Sequence, residues 1–248
     1  MIDSKIQWTD HTWNVAVGCT KVDEDCKYCY MYRQSLDSTR YDPKTVRKTK
    51  GVFTSPLKIG EPSRIFTSSL TDVFHPAIDS YRQEMWDIIR KCPHHTFQIL
   101  TKRPERILEC LPEDWGNNGY PNVWLGTSIG HQKAIVRAWQ LVEAPALVHF
   151  ISFEPMWTPI VWDQTCPAID WAIIGGESGN DKGKYRYRPC DESWIAALVA
   201  SLESTVYKPA IFIKQMGTFI AKQKGYKDRH GGDISEWPEH LQIREFPE

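Results

Sequence analysis

Short apolar runs recur along the chain at Trp13–Val17, Arg64–Thr67, Thr96–Leu100, Val123–Gly126, His149–Ser152, Trp171–Ile174 and Ala210–Ile213. Both alternating faces of each run are largely apolar, the pattern of parallel strands covered by helices. Between several of them the period lengthens to that of an amphipathic helix. In 80–92, SYRQEMWDIIRKC, Ser80 and Gln83 have the spacing of a capping box, and Met85, Ile89 and Cys92 form an apolar face. In 131–142, Ile135, Ala138, Trp139 and Val142 make one stripe; in 191–202, Ile195, Leu198, Val199 and Leu202 make another, capped by Asp191.

This alternation predicts βαβ units and an α/β fold, a complete or partial TIM-like (β/α) barrel of parallel strands with outer helices. A doubly wound open sheet is the alternative. The 248 residues read as one domain, with 218–248 a polar C-terminal extension packed on it. Hydrophobic content of 41% and charged content of 25% fit a globular protein with a full core. The net charge of -1 gives no global basic field to draw in nucleic acid. The N-terminus has no apolar core of signal-peptide length, and no segment approaches the ~20 apolar residues of a membrane span. The expected location is the cytoplasm, where thiols stay reduced.

The runs share a second regularity, because nearly every one ends in polar or small residues. These are Gly18-Cys19, Ser68-Ser69 with Asp72, Thr101-Lys102-Arg103, Thr127-Ser128, Ser152 with Glu154, Gly175-Gly176-Glu177-Ser178, and Lys214-Gln215. Parallel α/β architectures build their sites at the carboxyl ends of strands, so these groups are expected to converge on one mouth. Glu154, set between an apolar strand and a proline, needs a partner there. Gly175 and Gly176 allow close backbone approach to a ligand and aim Glu177 into the mouth.

Three of the seven cysteines, Cys19, Cys26 and Cys29, form C-x6-C-x2-C directly after the first run. A structural zinc site closes with four ligands, and no second C-x2-C exists to supply them; His11 would complete a Cys3His site. Three thiolates on an iron–sulfur cubane instead leave one iron open for chemistry. Cys92, Cys110, Cys166 and Cys190 are scattered and read as small buried hydrophobes.

With Tyr28 before the last cysteine, the segment resembles the loop of the radical S-adenosylmethionine (SAM) superfamily, usually C-x3-C-x-aromatic-C, with a first gap of six rather than three. The stretches IQWTDHTWN, SSLTDVFH, LTKRPER, VWLGTSI, SFEPMWTPI, DWAIIGGESG and FIKQMG extend the likeness from Ile6 to Gly217. Together they resemble a phage- and prophage-associated family of three-cysteine proteins, itself distantly similar to spore photoproduct lyase. The resemblance implies a radical SAM barrel. Cys19, Cys26 and Cys29 would bind a [4Fe-4S] cluster, SAM would chelate its open iron, and a flavodoxin or ferredoxin would supply the electron.

By the same likeness Tyr28 meets the adenine, and Ser68, Ser69 and Asp72 the SAM amino group; Asp72 capping the next helix is the bland reading. Lys102 and Arg103 suit the SAM carboxylate or a substrate phosphate, and Thr127 and Ser128 the ribose. Glu177, with Gly175 and Gly176, lies on the cofactor side; Glu154, Lys214 and Gln215 are the candidate catalytic residues, facing the substrate. The run Arg40, Lys44, Arg47, Lys48 and Lys50 is a candidate contact for nucleic-acid phosphates. The leading expectation is a radical SAM enzyme acting on nucleic acid, a nucleotide or a related molecule. The alternative is a zinc-binding, nucleic-acid-associated protein without radical chemistry.

Overall fold

The computed structural model describes residues 4–35, 42–183 and 185–248. In chain order the elements are β1 (His11–Trp13), β2 (Ala16–Val17), α1 (Tyr30–Ser35), β3 (Arg47–Lys48), β4 (Arg64–Thr67), α2 (Arg82–Lys91), β5 (Thr96–Thr101), α3 (Ile107–Cys110), β6 (Val123–Ser128), α4 (Val136–Val142), β7 (Val148–Met156), β8 (Trp171–Gly176), α5 (Glu192–Ser204), β9 (Ala210–Gln215) and α6 (Thr218–Lys224). Among the described residues, seven strands pair in parallel in the order β1-β4-β5-β6-β7-β8-β9 and curl into a partial TIM-like barrel. β2 and β3 form a separate antiparallel pair.

Two local expectations change here. The first strand lies at His11–Trp13 rather than Trp13–Val17, because Asn14 leaves the sheet. Its Oδ1 accepts hydrogen bonds from Leu70 N (2.8 Å) and from the hydroxyls of Ser68 and Ser69. The Ser80–Gln83 capping box does not form. Ser80 lies in a 3-10 turn, Pro76–Tyr81, and Gln83 Nε2 donates to Asp87 instead.

Strands β5 to β9 run one or more residues further toward their polar ends than the apolar runs suggest, so those ends obey strand alternation. Ile65, Phe97, Ile99, Leu125, Ile151, Phe153, Ile174 and Ile213 point toward the helices and form the main core. Phe66, Phe150, Trp171, Ile173 and Phe212 point the other way and fill the concave side around Trp8, whose ring lies 4.7 Å from Phe66 and 6.0 Å from Trp171. Gly126 makes room there, since a Cβ on it would come within 2.4 Å of the Phe150 ring.

On the outside, α5 buries Ile195, Leu198, Val199 and Leu202, and Asp191 accepts from Ser193 N at 2.8 Å as its N-cap. α4 is rotated from its expected stripe: Ala138 and Leu141 face the core with Arg137, while Trp139 is half exposed. Arg137 faces inward because it has carboxylate partners there, a pull that apolar periodicity cannot register. After α6 the chain returns along the edge strand β9. Ile213 N donates to Ile243 O and Glu245 N to Ile211 O, with Trp237 and Leu241 buried.

Candidate functional site

A cavity of about 420 Å³ opens at the carboxyl ends of the strands. Its walls bring together Cys19, Cys26, Cys29, Tyr28, Ser68, Ser69, Asp72, Lys102, Ser128, Glu154, Glu177 and Lys214. Ile6, Trp8, Phe66 and Leu100 make an apolar floor. The size falls in the ~300–1,000 Å³ range of small-molecule sites.

Alternation decides which polar strand ends reach it. Ser68, Lys102, Ser128, Glu154 and Lys214 share the parity of Phe66 and Phe150 and project into the concave side. Thr127 has the opposite parity, is fully buried and donates to Thr101 O at 2.9 Å, so it lies off the cavity. Gly176 likewise sits against Met216, whose carbonyl would be 2.3 Å from an added Cβ. Gly175 faces inward without lining the space; a Cβ there would press on Glu154 and Gln215 at 3.3–3.4 Å. That gap lets Glu154 on β7 meet Lys214 on β9 across β8, Oε1 to Nζ at 2.6 Å. Gln215 lies off the cavity and steadies the pair, donating to Glu154 Oε1 (3.1 Å) and Gly176 O (2.9 Å).

The cysteine loop begins at Gly18, whose φ of +104° and 2.3 Å clearance to Thr45 O leave no room for a side chain. Thr71 Oγ1 donates to Gly18 O, Cys19 N to Pro43 O, and Tyr32 OH to Cys19 O at 2.6 Å. Cys26 ends a 3-10 turn, Glu24–Cys26, and Cys29 immediately precedes α1. Burial pushes the Cys19 thiol up, as does Asp72, against the opposing Arg103. Cys29 is also raised by burial, with Lys102 acting in the other direction. Burial disfavours the Lys102 cation, yet Cys26, Cys29 and Asp25 outweigh it and hold its pKa above the ordinary lysine value. Among the described residues, Lys102 Nζ has no hydrogen-bond partner. A cation so placed suits an anionic group at the thiols.

Asp72 is already well supplied with donors. It accepts from Thr101 Oγ1 (2.8 Å), Lys102 N (3.0 Å), Phe74 N (3.0 Å) and Arg103 Nη1 (3.1 Å). The next helical turn is capped by His75, not by Asp72. Arg103 is spent too, donating through Nη2 to Thr20 O (2.8 Å) and lying 3.7 Å from the Cys19 sulfur. It braces the cysteine loop against β5. Glu177 holds Arg188 through both oxygens, at 2.7 and 2.8 Å.

Sequence reasoning misses Asn14, Asp25, Arg137, Trp157 and Arg188, whose hydrogen bonds position the loop and its surroundings. Their signal was weak but present, as acids crowding the cysteine gap and an arginine inside an apolar helix face. His11 lies away from the thiols, does not line the cavity, and acts electrostatically on Asp10 and His95. Of the basic run, Arg40 lies outside the described residues. Lys48 is tied to Glu84 at 2.6 Å and lies 4.4 Å from the Phe53 ring; Lys44 and Lys50 are exposed, and Arg47 pairs through β3 with Val17.

A curled parallel half-barrel defines the structural class, and a solved structure shares that fold. The chain is similar to the structure of a point mutant of spore photoproduct lyase, with a TM-score of 0.57 and 13% identity over 87% of this chain and 78% of that one. At that identity the likeness is one of fold. The chain belongs to the family described as "Protein of unknown function (DUF5131)", whose model matches residues 3–240. Comparison with curated proteins finds no match. No helix among the described residues is long and apolar enough to cross a membrane.

Proposed function

We propose that this protein is a radical SAM enzyme. The observation that carries the reading is the meeting of Cys19, Cys26 and Cys29 on one cavity at the mouth of a half-barrel, with Lys102 in their field. The donor set fits a cluster better than zinc. The three sulfurs do not all lie within 4.8 Å of one another among the described residues, whereas zinc at ~2.3 Å from each thiolate draws sulfurs to about 3.8 Å apart. With His11 elsewhere, a Cys3His site also lacks its fourth ligand.

When bound on the three thiolates, a [4Fe-4S] cluster with SAM supplies a 5'-deoxyadenosyl radical for hydrogen abstraction. This chain's residues hold and enclose those groups. Lys102 receives a carboxylate, Ser69 lies on the wall beside the first strand with Ser68, whose hydroxyl is tied to Trp13 O at 3.0 Å, and Tyr28, Ser128 and Glu177 line the remaining cofactor wall. Asp72 acts mainly through Arg103 and the Lys102 backbone, fixing the cation it adjoins. On the same cavity Glu154 and Lys214, backed by Gln215, form the substrate wall, and Trp8 and Phe66 lie on its apolar floor.

The substrate is a nucleic acid, a nucleotide or a related molecule. Supporting this are an aromatic floor suited to a planar base and the exposed Lys44, next to Pro43, whose carbonyl accepts from Cys19 N.

Anaerobic reconstitution with iron and sulfide, followed by an assay for 5'-deoxyadenosine from SAM and dithionite, tests the reading. Iron near four per chain and production of the nucleoside are expected. Purified protein carrying stoichiometric zinc, with no cluster formed, overturns it. Cys29→Ala is expected to abolish cluster and SAM cleavage together; surviving cleavage would remove Cys29 from the ligand set.

A further inference from the structure

The six-residue gap between Cys19 and Cys26 contains Asp23, Glu24 and Asp25, and the barrel grips each of them. The Asp25 side chain is fully buried. Its Oδ2 accepts from Gly130 N and Arg137 Nη1, both at 3.1 Å, and its Oδ1 from Trp157 Nε1 at 2.7 Å. Gly130 permits this approach, since a Cβ there would lie 2.4 Å from Asp25 Oδ1. Asp23 accepts from Asp25 N through one oxygen and from Arg137 Nη2 (2.5 Å) through the other, with His131 Nε2 at 3.4 Å. The Glu24 carbonyl accepts from Arg188 Nη1 at 2.8 Å, and that guanidinium lies 4.4 Å over the Trp157 ring. Arg137 also donates to Ser128 O at 3.0 Å, at the end of β6.

Asp23, Asp25 and His131 bring their ligand atoms within 4.8 Å of one another, as a cation site would. Arg137 already fills that position with positive charge, so the cluster is an ion pair, not a metal site. A buried ion pair held from several sides keeps one geometry, and losing one member leaves an uncompensated charge.

We infer that the Asp25–Arg137 pair, with Asp23, Gly130 and Trp157, is a latch that positions Cys26 before any metal arrives. Its bearing on the cluster rests on the radical SAM reading; its existence does not. The long gap is then the chain needed to leave Cys19 at the β4–β5 side, reach the β6–β7 mouth, dock there and return at Cys26. Cys26 is accordingly the buried cysteine of the three, with Cys19 and Cys29 partly open to the cavity.

The test uses apo protein, iodoacetamide and peptide mapping to give a rate for each cysteine. In the unaltered chain Cys26 should react more slowly than Cys19 and Cys29. Arg137→Met, the double change Asp25→Asn with Arg137→Met, and Trp157→Phe should each speed Cys26, the first by about tenfold, with Cys19 and Cys29 within about twofold. The double variant removes the fully buried charge of Asp25 together with its partner and leaves only the partly exposed Asp23 carboxylate without Arg137, so it keeps the test open if Arg137→Met fails to fold. Arg137→Lys, retaining charge but unable to serve both carboxylates, should fall between. Reconstituted Arg137→Met should bind less iron and show an altered electron paramagnetic resonance spectrum. Unchanged Cys26 rates in folded variants overturn the latch, as does an equal rise at all three cysteines. An unaltered chain that alkylates in the expected order yet takes up no iron sinks the radical SAM reading and leaves the latch standing.

Discussion

Glu154 and Lys214 sit on β7 and β9 and meet across Gly175, on the strand between, where a Cβ would already touch Glu154 at 3.4 Å. Both are less than about one-fifth exposed, so the pair is partly desolvated and breaking it leaves a carboxylate with Gln215 as its remaining donor. Lys214→Met alone is expected to cost about 1–3 kcal/mol, and adding Glu154→Gln to recover most of it. A double-mutant cycle by urea unfolding measures this; additive losses would show the two residues uncoupled. The residue identities at the site were largely legible, because polar groups ending apolar runs are conspicuous. Which of two neighbours faces the cavity was not, as Thr127 and Ser128 show: the choice depends on where alternation persists, and pairing with the next strand determines that.

Elements behave likewise. α5 follows its sequence because cap, stripe and core agree. α4 does not, since two carboxylates outside the element turn Arg137 inward. The 3-10 turn Pro76–Tyr81 depends on an unforeseen cap: His75 Nδ1 accepts from Ala77 N at 3.1 Å, and Nε2 therefore carries the proton shared with Thr20 Oγ1 at 2.9 Å. Burial, aided by Arg103, lowers the His75 pKa below the usual histidine value. The unfolded chain then binds the proton more readily, so this contribution is complete above about pH 6.5 and is lost as pH falls toward the folded pKa. Unfolding free energy should decline between about pH 7 and about pH 5, and His75→Asn, which keeps an acceptor without titrating there, should flatten the decline. His95, lowered by burial and by His94, adds in the same direction, so some slope should remain. An unchanged slope in His75→Asn would remove His75 from the account.

At the scale of the whole molecule, the last residues close the sheet. β9 is an edge strand, and the returning chain pairs with it while Phe246 packs on Trp171 and Phe212 at 5.4 and 5.3 Å. Truncation after Gly225 removes Trp237, Leu241 and that pairing, exposing a β edge. With two large side chains losing burial worth about 1.5–3 kcal/mol each, the truncated chain should be insoluble or about 3–6 kcal/mol less stable. Soluble yield and urea unfolding check it; full stability after truncation would make the tail a dispensable appendage.

The sequence by itself determined the parallel α/β plan and marked the cysteine loop, because apolar periodicity and cysteine spacing are local properties. Tertiary structure alone decided that β1 stops at Asn14, that the barrel stays open, and that Ser128 rather than Thr127 meets the cavity. It also gave the six-residue gap its use. Asp25 and Arg137 are 112 positions apart; no local pattern joins them, and burial makes their pairing obligatory once the strands bring them together.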